Sequence, residues 1–150
     1  MNQADDAGKA ERFDELLARV RACTVCAAHL PYPPKPIFSA SPTARLLIVG
    51  QAPGRRVHET GIPWNDPSGD LLRQWLGMTR EQFYDVSRIA IIPMGFCFPG
   101  LDARGGDLPP RQECAPLWRG RAALTECVRA WRDFAPNVIP LPHPSPRNDG

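Results

Sequence analysis

The chain has 150 residues, of which 43% are apolar and 23% charged, and a formal net charge of +2. That length suits one domain around one core, and the composition excludes a fibrous or intrinsically disordered protein. So small a charge also excludes binding to a polyanion through bulk charge, leaving only a local basic patch for such a partner.

No apolar run approaches the ~18 residues that span a bilayer, and the N-terminal MNQADDAGKAER has no signal-peptide core. The expected location is therefore cytoplasmic, with no membrane contact. In that compartment five cysteines read as metal ligands or free thiols rather than disulfides. The 18 prolines cluster at 31–36, 109–110 and 140–146, where they shape fixed, irregular loops.

Residues 1–150 read as a single domain, with 1–10 as a flexible tail. ERFDELLARVRA (11–22) places Phe13, Leu16, Leu17 and Val20 at helical spacing, which predicts one amphipathic helix ending near Cys23. PYPPKP is an extended arm leading to RLLIVG (45–50), whose unbroken apolar run predicts a strand buried on both faces. A Gly- and Pro-punctuated polar loop follows, over residues 50–64. DPSGDLLRQWLGM then predicts a helix capped by Asp66 or Ser68, with Leu71, Leu72, Trp75 and Leu76 inward. TREQFYD predicts a short helix capped by Thr79, and RIAIIPM (88–94) a second buried strand stopped by Pro93. Residues 95–117 read as loop, 121–133 as a helix, and NVIPLP (137–142) as a last strand running into HPSPRNDG. Strands alternating with helices predict an α/β fold with a mainly parallel sheet. In such sheets ligands bind beyond the C-terminal strand ends, where the polar segments 50–64, 94–100 and 143–148 would meet.

The first of these loops has the makings of a ligand site. Gly50 and Gly54 admit backbone conformations closed to other residues, and Pro53 fixes the path between them. Arg55, Arg56 and His58 are suited to phosphate, and Trp64 offers a flat face to a base. The same residues also suit an ordinary strand-to-helix connection with solvated arginines and Trp64 as a core plug. His143 stands at a strand terminus between rigid prolines, on the same edge of the sheet.

VGQAPG, GIPW and HPSPRN together resemble the motifs of the uracil-DNA glycosylase superfamily, in particular its iron–sulfur branch (family 4). The first motif there reads GEAPG, followed after six residues by GRPF and a GQLL-like helix start. This chain has Gly50-Gln51-Ala52-Pro53-Gly54, six residues, Gly61-Ile62-Pro63-Trp64 and then Gly69-Asp70-Leu71-Leu72, in register without a gap. The spacing of Cys23 and Cys26, then Cys97, then Cys114 is also similar to the cluster ligands of that branch. Four thiolates suit a [4Fe–4S] cluster, and zinc is the alternative. The cluster would be structural, and Cys127 has no counterpart in the pattern.

The resemblance implies a three-layer α/β/α sandwich and hydrolytic release of uracil from single- or double-stranded DNA by a monomer associated with the nucleoid. By motif position His143 would donate to uracil O2 as charge builds there, and Trp64 would replace the stacking phenylalanine of the family. Backbone groups of Gly50, Gln51 and Ala52 would hold the base. Arg55, Arg56 and His58, with Ser145, Arg147 and Asn148 after the HP dipeptide, would face DNA. The departures concern acids and length. Gln51 and Ala52 stand where relatives carry carboxylates, so Gln51, Asp66 and Glu59 are the candidates left to position water. No asparagine lies on the second strand to read uracil, leaving Met94 and Gly95 backbone groups or Asn65. Only 28 residues separate Cys114 from His143, which is shorter than in the family and predicts a missing strand and helix, with WRGRAAL (118–124) as the suspected junction. Two competing readings stand beside the enzyme: a non-catalytic binder of damaged or single-stranded DNA, and a zinc-stabilised domain acting on free nucleotides.

Overall fold

A computed structural model describes residues 13–114 of the protein. The helix expected at 121–133, the strand at 137–142, the suspected junction and the HPSPRN segment lie outside the described residues.

Helix α1 covers residues 13–21 and is followed by a single 3-10 turn, Ala27–His29. Of the four apolar residues expected to face inward, Val20 is buried, in a cluster with Cys26, Phe96 and Cys114, whereas Leu16 is exposed. The proline-rich arm does more than connect. Ser39 exchanges backbone hydrogen bonds with Ile91 at 3.0 and 2.7 Å, forming an antiparallel bridge that the sequence pattern did not announce.

Among the described residues two strands form a sheet. β1 (Leu46–Ile48) runs parallel to β2 (Ile89–Ile91), with Leu46 opposite Ile89 and Ile48 opposite Ile91. All three residues of β2 are buried, as expected. β1 departs from expectation: Leu46 and Leu47 are exposed rather than enclosed on both faces. Neighbours explain the contrast. β2 has β1 on one edge and the Ser39 arm on the other, whereas among the described residues β1 is paired along one edge only. The parallel pairing directs both 50–64 and 94–100 from the same end of the sheet, as the sequence implied.

The polar loop after β1 contains an element that the sequence reading missed. Helix α2 (Arg55–Thr60) occupies its centre, ended by Gly61 in a left-handed conformation whose N–H reaches Val57 O at 2.8 Å. One turn and a half buries Val57, and the exposed Arg55–Glu59 pair supports it at i,i+4 spacing. The glycines and proline bound this helix instead of interrupting it.

Helix α3 (Pro67–Leu76) begins where expected, and of the two candidate caps it uses Asp66, whose Oδ1 accepts the Gly69 N–H at 2.8 Å. Pro67 at the first turn costs no hydrogen bond there. Leu72 is fully buried and Leu76 packs against the same cluster, but Trp75 is exposed, contrary to its expected inward place. Arg73 is buried in its stead, 6% exposed. Helix α4 (Arg80–Phe83) starts on a Thr79–Gln82 capping box, and its Phe83 is 0% exposed among Leu72, Ile89 and Ile91.

A buried arginine needs partners, and the partners of Arg73 fix the loop before α3. Its guanidinium donates to Trp64 O at 3.2 Å and to the Tyr84 hydroxyl at 3.3 Å, and pairs with Asp70. It also lies over the rings of Phe83 and Tyr84. The Tyr84 hydroxyl donates in turn to Pro63 O at 2.8 Å. Between these bonds Trp64 adopts φ +57°, the one non-glycine residue with positive φ among those described. Its carbonyl presses so closely on α3 that a Cβ at Gly69 would stand 1.8 Å from the oxygen. Gly69→Ala should therefore lower stability by roughly 3 kcal/mol, read as a fall in the urea midpoint. An unchanged midpoint would mean that the carbonyl does not pack there.

Candidate functional site

A cavity of about 310 Å³ opens beyond the C-terminal ends of the two strands. Its floor is Ile37, Ile91 and Pro93, and its walls are the 50–54 loop, Trp64 and Asp66 from the start of α3, and Asp107 with Leu108 from a distal hairpin. The volume lies at the small end of ligand pockets, about 300–1,000 Å³, and suits one nucleobase.

Two close approaches define the ends of the loop. A Cβ at Gly50 would meet the Trp64 indole at 3.1 Å, and one at Gly54 would meet Asp107 Oδ2 at 2.7 Å. Neither glycine has a positive φ, so what they contribute is space, and not the unusual backbone conformation the sequence suggested. The 50–51 carbonyls accept the N–H groups of Met94 and Gly95, both at 2.8 Å, which ties the two strand-end loops together. Gln51 and Ala52 line the pocket, and their N–H groups donate to no other described residue.

The structure thus brings Gly50, Gln51, Ala52, Trp64 and Asp66 to one cavity. Others fall elsewhere. The Asn65 side chain accepts from Arg80 at 3.0 Å instead of lining the pocket. Met94 and Gly95 have their N–H groups engaged, and Gly95 borders the cysteine cavity. Arg55 and Arg56 are exposed on α2, and Arg55 also pairs with Glu59, which stays on the helix surface. His143, Ser145, Arg147 and Asn148 lie outside the described residues.

Two residues escaped the sequence reading. Arg73 looked like a surface position on an amphipathic helix. Asp107 is brought to the pocket by a hairpin that begins at Leu101, which bridges Asp107, and turns through Gly105 at φ +81°. Within it Asp102 Oδ1 accepts the N–H groups of Arg104 at 2.8 Å and Gly106 at 2.9 Å. An aspartate followed by a Gly-Gly pair is the available signal for such a turn.

A second cavity lies behind Gly95. Cys23, Cys26, Cys97 and Cys114 all line it, with Leu30, Pro34, Pro36 and Phe96 as an apolar wall. Burial pushes the Cys97 thiol up to about 11, against a backbone hydrogen bond from Lys35, and burial with the neighbouring Cys114 raises Cys26. Four thiols around one cavity, with backbone donation to Cys97, are a donor set of the kind that binds an iron–sulfur cluster or zinc. Among the described residues no three His, Cys, Asp or Glu side chains are placed to hold a single metal ion.

His58 packs into an aromatic cluster away from the lining of both cavities. Its ring stacks on Tyr32 at 5.1 Å between centroids and lies 5.7 Å from Phe98. Its Nδ1 is buried with no partner among the described residues, and its carbonyl accepts Lys35 Nζ at 2.6 Å. Burial first, and the Lys35 charge second, lower its pKa, so this ring is a neutral packing element at pH 7 and a poor phosphate ligand. No helix of the described residues is long and apolar enough to cross a membrane.

Compared with protein families, residues 38–150 match the model described as the Uracil DNA glycosylase superfamily. The match takes in every pocket residue but Ile37, together with Cys97 and Cys114.

The His58 environment can be read directly. Its imidazole should titrate below the ordinary histidine value of about 6.5 in proton NMR, and Lys35→Met should move the midpoint upward. Because the folded value is depressed, its contribution to stability is present above the unfolded pKa and lost as pH falls through the folded one. A midpoint at or above the ordinary value would place His58 in solvent.

Proposed function

The chain belongs to the uracil-DNA glycosylase superfamily, and we propose that it hydrolyses the N-glycosidic bond of deoxyuridine in DNA, releasing uracil and leaving an abasic site. The observation that carries this reading is the base-sized cavity lined by Trp64 and by Gln51 and Ala52, whose N–H groups have no other described acceptor. A target nucleotide must leave the stack to reach such a pocket, and its base would stack on Trp64. As the bond to C1′ breaks, the electron pair passes to uracil N1 and is shared with O2. Preorganised donors are worth most where charge develops, which is the work of the two backbone amides and of His143. Arg55 and Arg56, with Ser145, Arg147 and Asn148, would bind the phosphates and the vacated stack of a single- or double-stranded substrate. Asp66 lies at the pocket and also caps α3 through one oxygen. The complete fold is read as a three-layer α/β/α sandwich acting as a monomer in the cytoplasm, on nucleoid DNA.

Cys23, Cys26, Cys97 and Cys114 would hold a [4Fe–4S] cluster. When bound it supplies a structural staple between the N-terminal segment and the 95–114 loop, with no redox step. The second reading, a binder that holds an extruded base without cleaving it, draws on the missing acids at Gln51 and Ala52.

Uracil-containing oligonucleotides should acquire alkali-labile sites on incubation with the protein, and His143→Ala should slow this at least about a hundredfold while binding persists. Binding without cleavage at stoichiometric protein would select the second reading. Protein prepared with iron should be brown, with broad absorbance near ~400 nm that Cys97→Ser diminishes. A colourless preparation with stoichiometric zinc would identify the zinc alternative.

A further inference from the structure

Excision by hydrolysis needs a group that holds the attacking water, and neither Gln51 nor Ala52 has an acid to offer. Resting on the glycosylase reading above, we propose that Asp107 is that group: its carboxylate, delivered across the pocket by the 101–107 hairpin, positions the water that adds to C1′.

Among the described residues only two carboxylates line the cavity, Asp66 and Asp107. They stand differently. Asp66 belongs to the Trp64 end, two residues from the indole that would stack on the base, and its Oδ1 is bound to the Gly69 amide. Asp107 faces the other end of the loop, over Gly54, where the missing Cβ leaves room for its Oδ2. Water attacks C1′ from the side away from the departing base, and Asp107 stands at the Gly54 end of the loop while Trp64 stands at its Gly50 end. A backbone hydrogen bond from Arg55 anchors the Asp107 carboxylate, and the Asp102 turn with the Leu101 bridge anchors its backbone. A carboxylate has about four acceptor positions, so an anchored one still has capacity for water. Burial, with the like charge of Asp66 as a smaller cause, raises the Asp107 pKa despite the Arg55 bond, which is the direction a base requires.

The step balances. The C1′–N1 bond breaks with its electron pair going to uracil, and the water oxygen bonds to C1′. Its proton passes to the Asp107 carboxylate and from there to the released uracil anion, so the carboxylate ends as it began.

The test compares the full chain with Asp107→Asn and Asp107→Glu. Single-turnover excision from a uracil oligonucleotide, affinity for the same oligonucleotide carrying an abasic analogue, and thermal midpoint are measured. Asparagine can still accept the Arg55 amide, so Asp107→Asn should retain affinity and midpoint while excision falls by about a hundredfold or more. Asp107→Glu, with its charge restored on a longer arm, should recover part of the rate. Excision by Asp107→Asn at the unsubstituted rate overturns the proposal. So does an equal loss in both variants accompanied by a lower midpoint, which would make Asp107 a structural cap. Failure of the glycosylase reading is separate and appears in the unsubstituted chain as no excision at all, which removes the proposal with it.

Discussion

The pocket depends on one buried charge. Arg73 sits where an amphipathic helix would ordinarily carry an apolar residue, and its guanidinium satisfies itself on the Trp64 carbonyl, Tyr84, Asp70 and two aromatic faces. Such a group is costly to bury and costlier still to leave unpaired, so its partners are held in register. The consequence is Trp64 in a left-handed conformation that a bulky residue avoids, with Gly69 as the only residue type that fits beneath its carbonyl. Local strain of this kind persists only where the surroundings over-determine it, and here they do so at the wall of the cavity.

The second constraint is the tie between the two cavities. Lys35 donates its backbone N–H toward Cys97 and its side chain to the His58 carbonyl, on either side of the proline-rich arm. His58 stacks between the arm, through Tyr32, and the loop after β2, through Phe98. Gly95 leaves room for both Pro110 and Ala52, which a Cβ there would meet at 3.0 and 3.7 Å. The cysteine-lined region and the base-sized pocket are therefore one continuous packing arrangement, in which a group that orders the cysteines would also order the pocket loops. That gives a physical sense to a cluster without redox chemistry.

Much of this was legible in the sequence because it is local. Thr79 and Asp66 mark helix starts through hydrogen bonds to residues only a few positions away, and a cap with its partner a turn later can be read directly. The apolar run at 89–91 was legible for the same reason. Trp75 and Arg73 were misread because a helical wheel gives relative faces but not which neighbour each face will meet. The inward face of α3 was set by Tyr84, Phe83 and the Trp64 carbonyl, all from other segments. Asn65 suited a base-reading role by residue type, and only the position of Arg80 directs it elsewhere.

By itself the sequence determined the chemistry available: a Gly-bounded loop after an apolar strand, a tryptophan ten residues beyond Gly54, four spaced cysteines and the motifs of a glycosylase superfamily. These are properties of residue type and spacing, which backbone geometry carries over short distances. Only the tertiary structure decided where that chemistry acts. It gathered the four cysteines around one cavity, withdrew His58 into an aromatic stack, and brought Asp107 from about fifty residues downstream to the space left by Gly54. Contacts of that range leave no period or spacing in the chain, because they are fixed by how the hairpin, helices and sheet pack, and not by any residue's neighbours in sequence.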